Sequence, residues 1–163
     1  MTAARVRLAM RAALRWLGRT PVQTFILCPV AVVGFELARQ GGQIAIVPWG
    51  LPLLIWGYAQ YRLVGRYRIR QGGGGPGMAA PPNRIVVQGP YRYTRNPMYL
   101  GHLFFMLGLA LTFWSWFALL LFVARAAWFQ YRVMGDEERL AATFGVEYEA
   151  YRKRVKRWVP WLI

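Results

Sequence analysis

The chain has 163 residues, 56% of them hydrophobic and 16% aromatic, with a positive mean hydropathy. That suits one small membrane-embedded domain, residues 1–163, and leaves no length for a second globular core. The net charge of +15 is almost all arginine, with Lys153 and Lys156 the only lysines, and these charges alternate with apolar runs instead of forming one stripe. Anionic lipid headgroups are therefore the expected partner, and nucleic acid is not. Cys28 stands alone, which excludes a disulfide framework within the chain and a cysteine-rich metal cluster, so no metal is expected.

Residues 1–19 interleave Arg5, Arg7, Arg11, Arg15 and Arg19 with Val6, Leu8, Met10, Leu14 and Leu17. The pattern predicts a basic amphipathic helix lying on the membrane. A signal peptide fits less well, because the charges run through the segment without an uncharged core. Four apolar segments follow, at 21–37, 44–63, 98–113 and 116–133. Each approaches the roughly 20 helical residues that cross a bilayer. Trp49, Trp56, Trp114 and Trp116 crowd segment ends as interfacial belts do. The predicted fold class is thus an all-α integral membrane domain of about four transmembrane helices. An N-terminal amphipathic helix and a C-terminal amphipathic interfacial helix flank them.

Arginines concentrate at the N-terminus, between the second and third segments, and after the fourth, while the other links carry almost none. The positive-inside rule then puts both termini and the long middle link in the cytoplasm. The bias to Arg, Ala and Gly suggests a GC-rich genome, hence a bacterial inner membrane.

Within the middle link, 71–82 (QGGGGPGMAAPP) reads as a flexible loop. Its Gly72, Gly74 and Gly77 match a dinucleotide glycine pattern formally. No strand precedes them and Pro81-Pro82 follows, so that match is rejected. Asn83–Gln88 reads as a short extended lead into Gly89–His102 (GPYRYTRNPMYLGH), which sets cationic donors, aromatic faces and prolines at the start of an apolar run. That composition suits a polar, partly aromatic ligand held at the membrane edge.

A second charged cluster, Arg132-Val-Met-Gly-Asp136-Glu137-Glu138, lies about thirty residues on. Arg125, Phe129, Arg132 and Asp136 share one helix face, and arginine inside a membrane segment normally faces protein or a watery cavity. The plainer reading is that Arg132 snorkels to the interface and that Glu137 and Glu138 cap the tail helix. His102, one turn after Tyr99, is a candidate general base, against the ordinary role of a hydrogen-bonded helix histidine. In the tail, Leu140, Phe144, Tyr148, Tyr151, Val155 and Trp158 recur at three- and four-residue spacing, with a break expected at Gly145 and an end at Pro160.

The order Ile85-Val86, Gly89-x-Tyr91, Arg95-Asn96-Pro97-x-Tyr99-x-Gly101, then Glu137-x-x-Leu140-x-x-x-Phe144-Gly145-x-Glu147-Tyr148-x-x-Tyr151, with Arg157 and Pro160 beyond, resembles the isoprenylcysteine carboxyl methyltransferase family. The related phospholipid N-methyltransferases share that architecture. The resemblance covers roughly 83–160 and implies that this part is a cofactor-binding core holding S-adenosylmethionine without a Rossmann sheet. Carried over by position, it implies cofactor contacts at Asn83, Arg84, Ile85, Val86, Tyr91, Arg95, Asn96, Pro97, Met98, Tyr99, Asp136, Glu137 and Glu138. It makes Arg132 the substrate-binding arginine, with Arg125 deeper on the same stripe. Two positions depart from the family pattern: Asn96 stands where many members have His, and Lys156 replaces a proline before the final arginine.

The residue chemistry agrees with that implication. Aromatics such as Tyr91 or Tyr99 can stack on adenine, the acids can hold ribose hydroxyls or an ammonium, and Arg92 or Arg95 can take the methionine carboxylate. Methyl transfer needs no covalent enzyme intermediate, so positioning supplies much of the rate. The expected function is S-adenosylmethionine-dependent methylation of a hydrophobic acceptor, lipid-like or prenylated. Arg132, Glu137 and His102 are the candidate catalytic residues, and a carboxylate is favoured as acceptor. The alternatives are N-methylation of an aminophospholipid, an NADPH-dependent membrane reductase, and a non-catalytic membrane scaffold. Oligomeric state is not legible.

Overall fold

Proline opens most of the helices. The computed structural model describes residues 3–75 and 82–158. Among these, α1 (Ala3–Leu17), α2 (Thr20–Val22), α3 (Cys28–Arg39), α4 (Leu51–Gly72), α5 (Pro97–Phe113), α6 (Trp116–Phe144) and α7 (Val146–Arg154) follow in order, with no strand. Pro21, Pro29, Pro52 and Pro97 sit in the first turns of α2, α3, α4 and α5, where a missing N–H costs nothing. A π turn, Gln23–Leu27, joins α2 to α3, so 20–39 is one continuous helical rod. Pro29 cannot donate to the preceding turn and its ring crowds it. Widening that turn, with Cys28 N–H bonded to the Gln23 carbonyl, relieves the crowding.

The framework is the antiparallel pair α4 and α5, whose backbones touch through glycine. A Cβ on Gly57 would lie 2.3 Å from Phe105 N and 2.7 Å from the Gly101 carbonyl oxygen. One on Gly108 would lie 2.6 Å from Leu54 N and 3.1 Å from the Gly50 oxygen. Gly50 and Gly57 on one strand of the pair, Gly108 and Gly101 on the other, recur at seven residues and meet in register. Small residues at such a crossing are the usual means of close helix approach in a membrane. Trp114, left-handed at φ 46, and Ser115, whose hydroxyl accepts from Ala118 N, turn α5 into α6. The helix 20–39 packs on this hairpin: Phe25 stacks on His102 (4.7 Å between centroids) near one end and Phe35 on Phe117 (4.7 Å) at the other.

Two helices, Thr20–Arg39 and Trp116–Phe144, are long and apolar enough to cross a membrane. Only 22% and 17% of their apolar windows are buried, unlike the core helix of a soluble domain. Pro97–Phe113 is apolar but has 17 residues, about 26 Å at 1.5 Å per residue. The segment expected at 44–63 is shifted: Pro48–Gly50 forms a tight 3-10 turn, α4 begins only at Leu51, and Arg62, Arg66, Arg68 and Arg70 occupy its second half.

The last expected segment is longer than its sequence reading. Helix α6 continues from Trp116 to Phe144 and ends where Gly145 takes φ 51, its N–H bonded to the Ala141 carbonyl. Asp136, Glu137 and Glu138 therefore lie inside α6, not at the start of a tail helix, and the capping reading fails. The apolar face of the tail, expected to anchor on the membrane or to close over a site, packs inward: Tyr148, Tyr151 and Val155 are buried with Val64, Tyr91 and Met98. Of the loop expected at 71–82, residues 76–81 lie outside the described residues, as does Pro160.

Candidate functional site

A cavity of about 310 Å³ opens where the C-terminal end of α4, the N-terminal end of α5, the last turns of α6 and α7 converge. Small-molecule sites begin at about this size. Its walls bring together Ile85, Val86, Tyr91, Arg95, Asn96, Asp136 and Glu137 from the two sequence clusters. The other residues of the sequence reading stand behind or beside it. Asn83 N–H and Arg84 N–H bond the Gly72 carbonyl, and the Arg84 side chain donates to the Gln71 carbonyl, tying this segment to the end of α4. Pro97 is the first residue of α5 and its carbonyl accepts from Gln60 Nε2 at 2.9 Å, while Met98 joins the tyrosine core. Glu138 is exposed.

Local structure explains how these side chains reach one place. Gly89, at φ 60, stands against the Tyr67 ring, where a Cβ would lie 2.7 Å from it. The tight turn Gly89–Arg92 that follows buries Tyr91, whose carbonyl accepts from Tyr151 Oη at 2.7 Å. Thr94 Oγ1 and Asn96 Nδ2 both donate to the Arg157 carbonyl, at 2.9 and 3.2 Å, and Arg95 N–H donates to the Lys156 carbonyl at 3.0 Å. Asn96 thus ties the tail down with its amide hydrogens, where an imidazole would present a single N–H.

Charge is held in two nets. Glu137, only 5% exposed, accepts from Arg157 Nε (3.1 Å) and Nη2 (3.0 Å) and pairs with Arg95 at 3.2 Å. Two-pronged arginine contact of this kind is the strong form of the carboxylate bond. Arg95 also reaches the Arg152 carbonyl, yet its Nε is buried without a partner. In the second net Arg132 Nε donates to Tyr99 Oη (3.0 Å), Tyr99 Oη donates to Asp136 Oδ2 (2.8 Å), and Arg139 pairs with Asp136. Tyr99 does not line the cavity; it connects Arg132 to the acid that does.

The stripe read from spacing divides. Phe129 is fully buried against Tyr99 and His102. The half-exposed arginines instead flank Trp128, each guanidinium 5.3 Å from its ring, and Arg125 donates to Gln23 at 2.8 Å. His102 is enclosed by Phe25, Tyr61 and Phe129, off the cavity wall, and its Nδ1 has no partner. The sequence reading missed Arg68, Arg139 and Thr143 on the wall, and left Leu140, Tyr148 and Tyr151 between a membrane face and a cover over a site. Asp136, Arg139, Leu140 and Thr143 follow i, i+3, i+4, i+7, a periodicity that would have found the last three had the helix been extended past Asp136. Burial raises the phenol pKa of Tyr91 and Tyr151, and burial followed by the charge of Glu137 pushes Tyr148 up to about 12. All three are neutral hydrogen-bonding walls.

The match to a known family falls on this part of the chain. The sequence model of the family described as phospholipid methyltransferase matches residues 70–146. Protein-S-isoprenylcysteine O-methyltransferase of Schizosaccharomyces pombe is 35% identical over 78 residues, 47% of this chain and 33% of that protein. The matched stretch therefore spans about a third of the length of that relative. No solved structure matches the chain. The paired motifs thus meet around one cavity in the part of the chain that is similar to the phospholipid methyltransferase family.

Proposed function

We propose that the chain is an integral membrane methyltransferase that uses S-adenosylmethionine and methylates a hydrophobic acceptor bearing a carboxylate. The observation that carries this reading is the single cavity edge at which Arg95, Asn96, Asp136, Glu137 and three tyrosines converge beside Arg132. When bound, the cofactor supplies an electrophilic methyl group on a sulfonium, and the carbon–sulfur electron pair stays on sulfur as the new bond to the acceptor forms.

The residues present fit such a cofactor. Tyr91, Tyr148 and Tyr151 offer faces for an adenine, Asp136 and Glu137 offer acceptors for hydroxyls or an ammonium, and the orphaned Nε of Arg95 needs an acceptor such as a carboxylate. Two buried carboxylates beside the cavity also favour a cation there. Arg132 is placed to hold the acceptor's anionic end: no acid pairs with it among the described residues, and Tyr99 fixes its Nε. Its planar fork matches a carboxylate. Positioning, not proton transfer, is the main work of this site. His102 serves packing in this reading.

The supporting membrane picture has four crossings, with both termini and the cavity on the cytoplasmic side. Two of its helices meet the length and hydropathy requirement by themselves, and the close glycine packing of α4 on α5 supports counting that pair as the other two. A second reading, N-methylation of an aminophospholipid, draws on the matched family's description. Against it, the charged group offered to the acceptor is Arg132, which has no acid paired with it among the described residues and would repel an ammonium head. Incubating the reconstituted protein with labelled S-adenosylmethionine and either a prenylated cysteine or phosphatidylethanolamine separates the readings. Base-labile methyl ester on the first supports this proposal; label only on the amine lipid overturns it.

A further inference from the structure

Helix α1 takes no part in the cavity, and its two faces suit a surface of opposite charge. Arg7, Arg11 and Arg15 recur every four residues along one side, and Met10, Leu14 and Leu17 follow i, i+4, i+7 along another. Both rows are exposed, with Leu14 at 63%, so the apolar row has no protein against it. No acid precedes Glu36 in the sequence, and among the described residues the arginines of α1 form no ion pair. The chain also breaks direction after α1: Arg19 is extended (φ −71, ψ 130) and Pro21 starts the next helix. A continuous helix would have carried α1 along the axis of the 20–39 rod; the break frees it to lie across that axis.

The end from which α1 departs is the cavity's end. Phe25, just inside the rod, stacks on His102 and packs tilted against Tyr61, whereas Phe35 meets Trp116 and Phe117 at the opposite end. We propose that α1 binds an acidic phospholipid surface, its arginine row on headgroup phosphates and its apolar row in the acyl boundary, at the membrane face where the cavity opens. Basic amphipathic helices bind in this way, with apolar burial and headgroup attraction acting together. A nucleic acid offers no apolar phase to Met10, Leu14 and Leu17, and a second copy of this chain would bring the same repelling arginine row.

The test uses the full chain carrying Cys28→Ser and Leu14→Cys, with an environment-sensitive fluorophore on the new thiol. It is reconstituted in phosphatidylcholine vesicles with or without phosphatidylglycerol. Binding predicts a blue-shifted emission, quenched by acyl-chain quenchers, that depends on phosphatidylglycerol and reverses in high salt. Arg7→Gln, Arg11→Gln and Arg15→Gln together should abolish the shift, and lysine at the same positions should keep it. Identical emission in both vesicles, or a glutamine variant that shifts like its parent, overturns the proposal. S-adenosylmethionine binding measured on the same vesicles separates the two readings. Cofactor binding without a lipid response sinks the α1 proposal alone, and a lipid response without cofactor binding supports it while sinking the catalytic reading.

Discussion

Gly57 of α4 and Gly101 of α5 lie backbone against backbone, so that a Cβ on either would fall within 2.9 Å of the other's carbonyl oxygen. With Gly50 and Gly108 seven residues away, they fix how closely α4 and α5 approach and therefore where Arg68 and Tyr91 stand at the cavity. Gly57→Ala or Gly101→Ala should cost about 1–3 kcal/mol through overpacking, read as a lowered midpoint of thermal unfolding in detergent. Gly34, with nothing within 4 Å of its Cβ position, is the control. Equal midpoints for Gly57→Ala and Gly34→Ala would mean the two helices do not touch there.

The tail is tied down by charge. Glu137→Ala leaves two arginines without their carboxylate, whereas Arg157→Ala leaves Glu137 still paired with Arg95. Removing one partner of a buried pair costs about 3–5 kcal/mol, and Arg157, a quarter exposed, belongs below that range. Glu137→Ala should therefore destabilise more than Arg157→Ala and should expose the tail to trypsin. Equal protease resistance in both variants would show that the net does not hold the tail.

Much of this was legible in the residues. The ordering Arg95-Asn96-Pro97 and Asp136-Glu137 named the clusters that share the cavity, because motif spacing survives whatever the helices do between them. Proline and glycine marked where α5 begins and α6 ends. The length of α6 was not legible: Gly135 and the charges after it look like a helix end, yet packing of Asp136 and Glu137 against arginines from α6 itself, α5's approach and the tail carries the helix on. For Tyr148 and Tyr151 the sequence left two placements open, a membrane face or a cover over a site, for a related reason. An apolar periodicity gives a face but not the partner that covers it, and here the partner is Val64, Tyr91 and Met98. The seven-residue glycine pairing needed both helices at once to be seen.

Arg132 separates acceptor binding from cofactor binding. Arg132→Ala should reduce kcat/KM for an anionic acceptor by the equivalent of about 2–5 kcal/mol, with cofactor affinity nearly unchanged. Arg132→Lys should recover only part of the loss, since the charge returns without the fork. Unchanged kinetics in both variants would show that Arg132 serves the lipid headgroups and not the acceptor.

Alkaline pH should loosen the tail core. Burial raises the Tyr148 phenol to about 12 in the fold, against about 10 in the unfolded chain. The unfolded state then ionises first, so this contribution is complete below pH of about 10 and is lost as pH rises toward 12. Stability in detergent should stay level through neutrality and fall across that window, and Tyr148→Phe should flatten the fall. A Tyr148→Phe variant with the same alkaline slope would locate the titration elsewhere.

The central claim is that the cavity between α4, α5, α6 and α7 is an S-adenosylmethionine site, and calorimetry on the purified protein with Glu137→Gln alongside tests it most directly. Glu137→Gln keeps the side chain's shape while removing the charge that holds Arg95 and Arg157. The account predicts saturable binding of S-adenosylmethionine and of its demethylated product to the parent, clearly weakened in Glu137→Gln, and no binding of NADPH. Binding of NADPH without either sulfur nucleotide, or sulfur-nucleotide binding indifferent to Glu137, would contradict it.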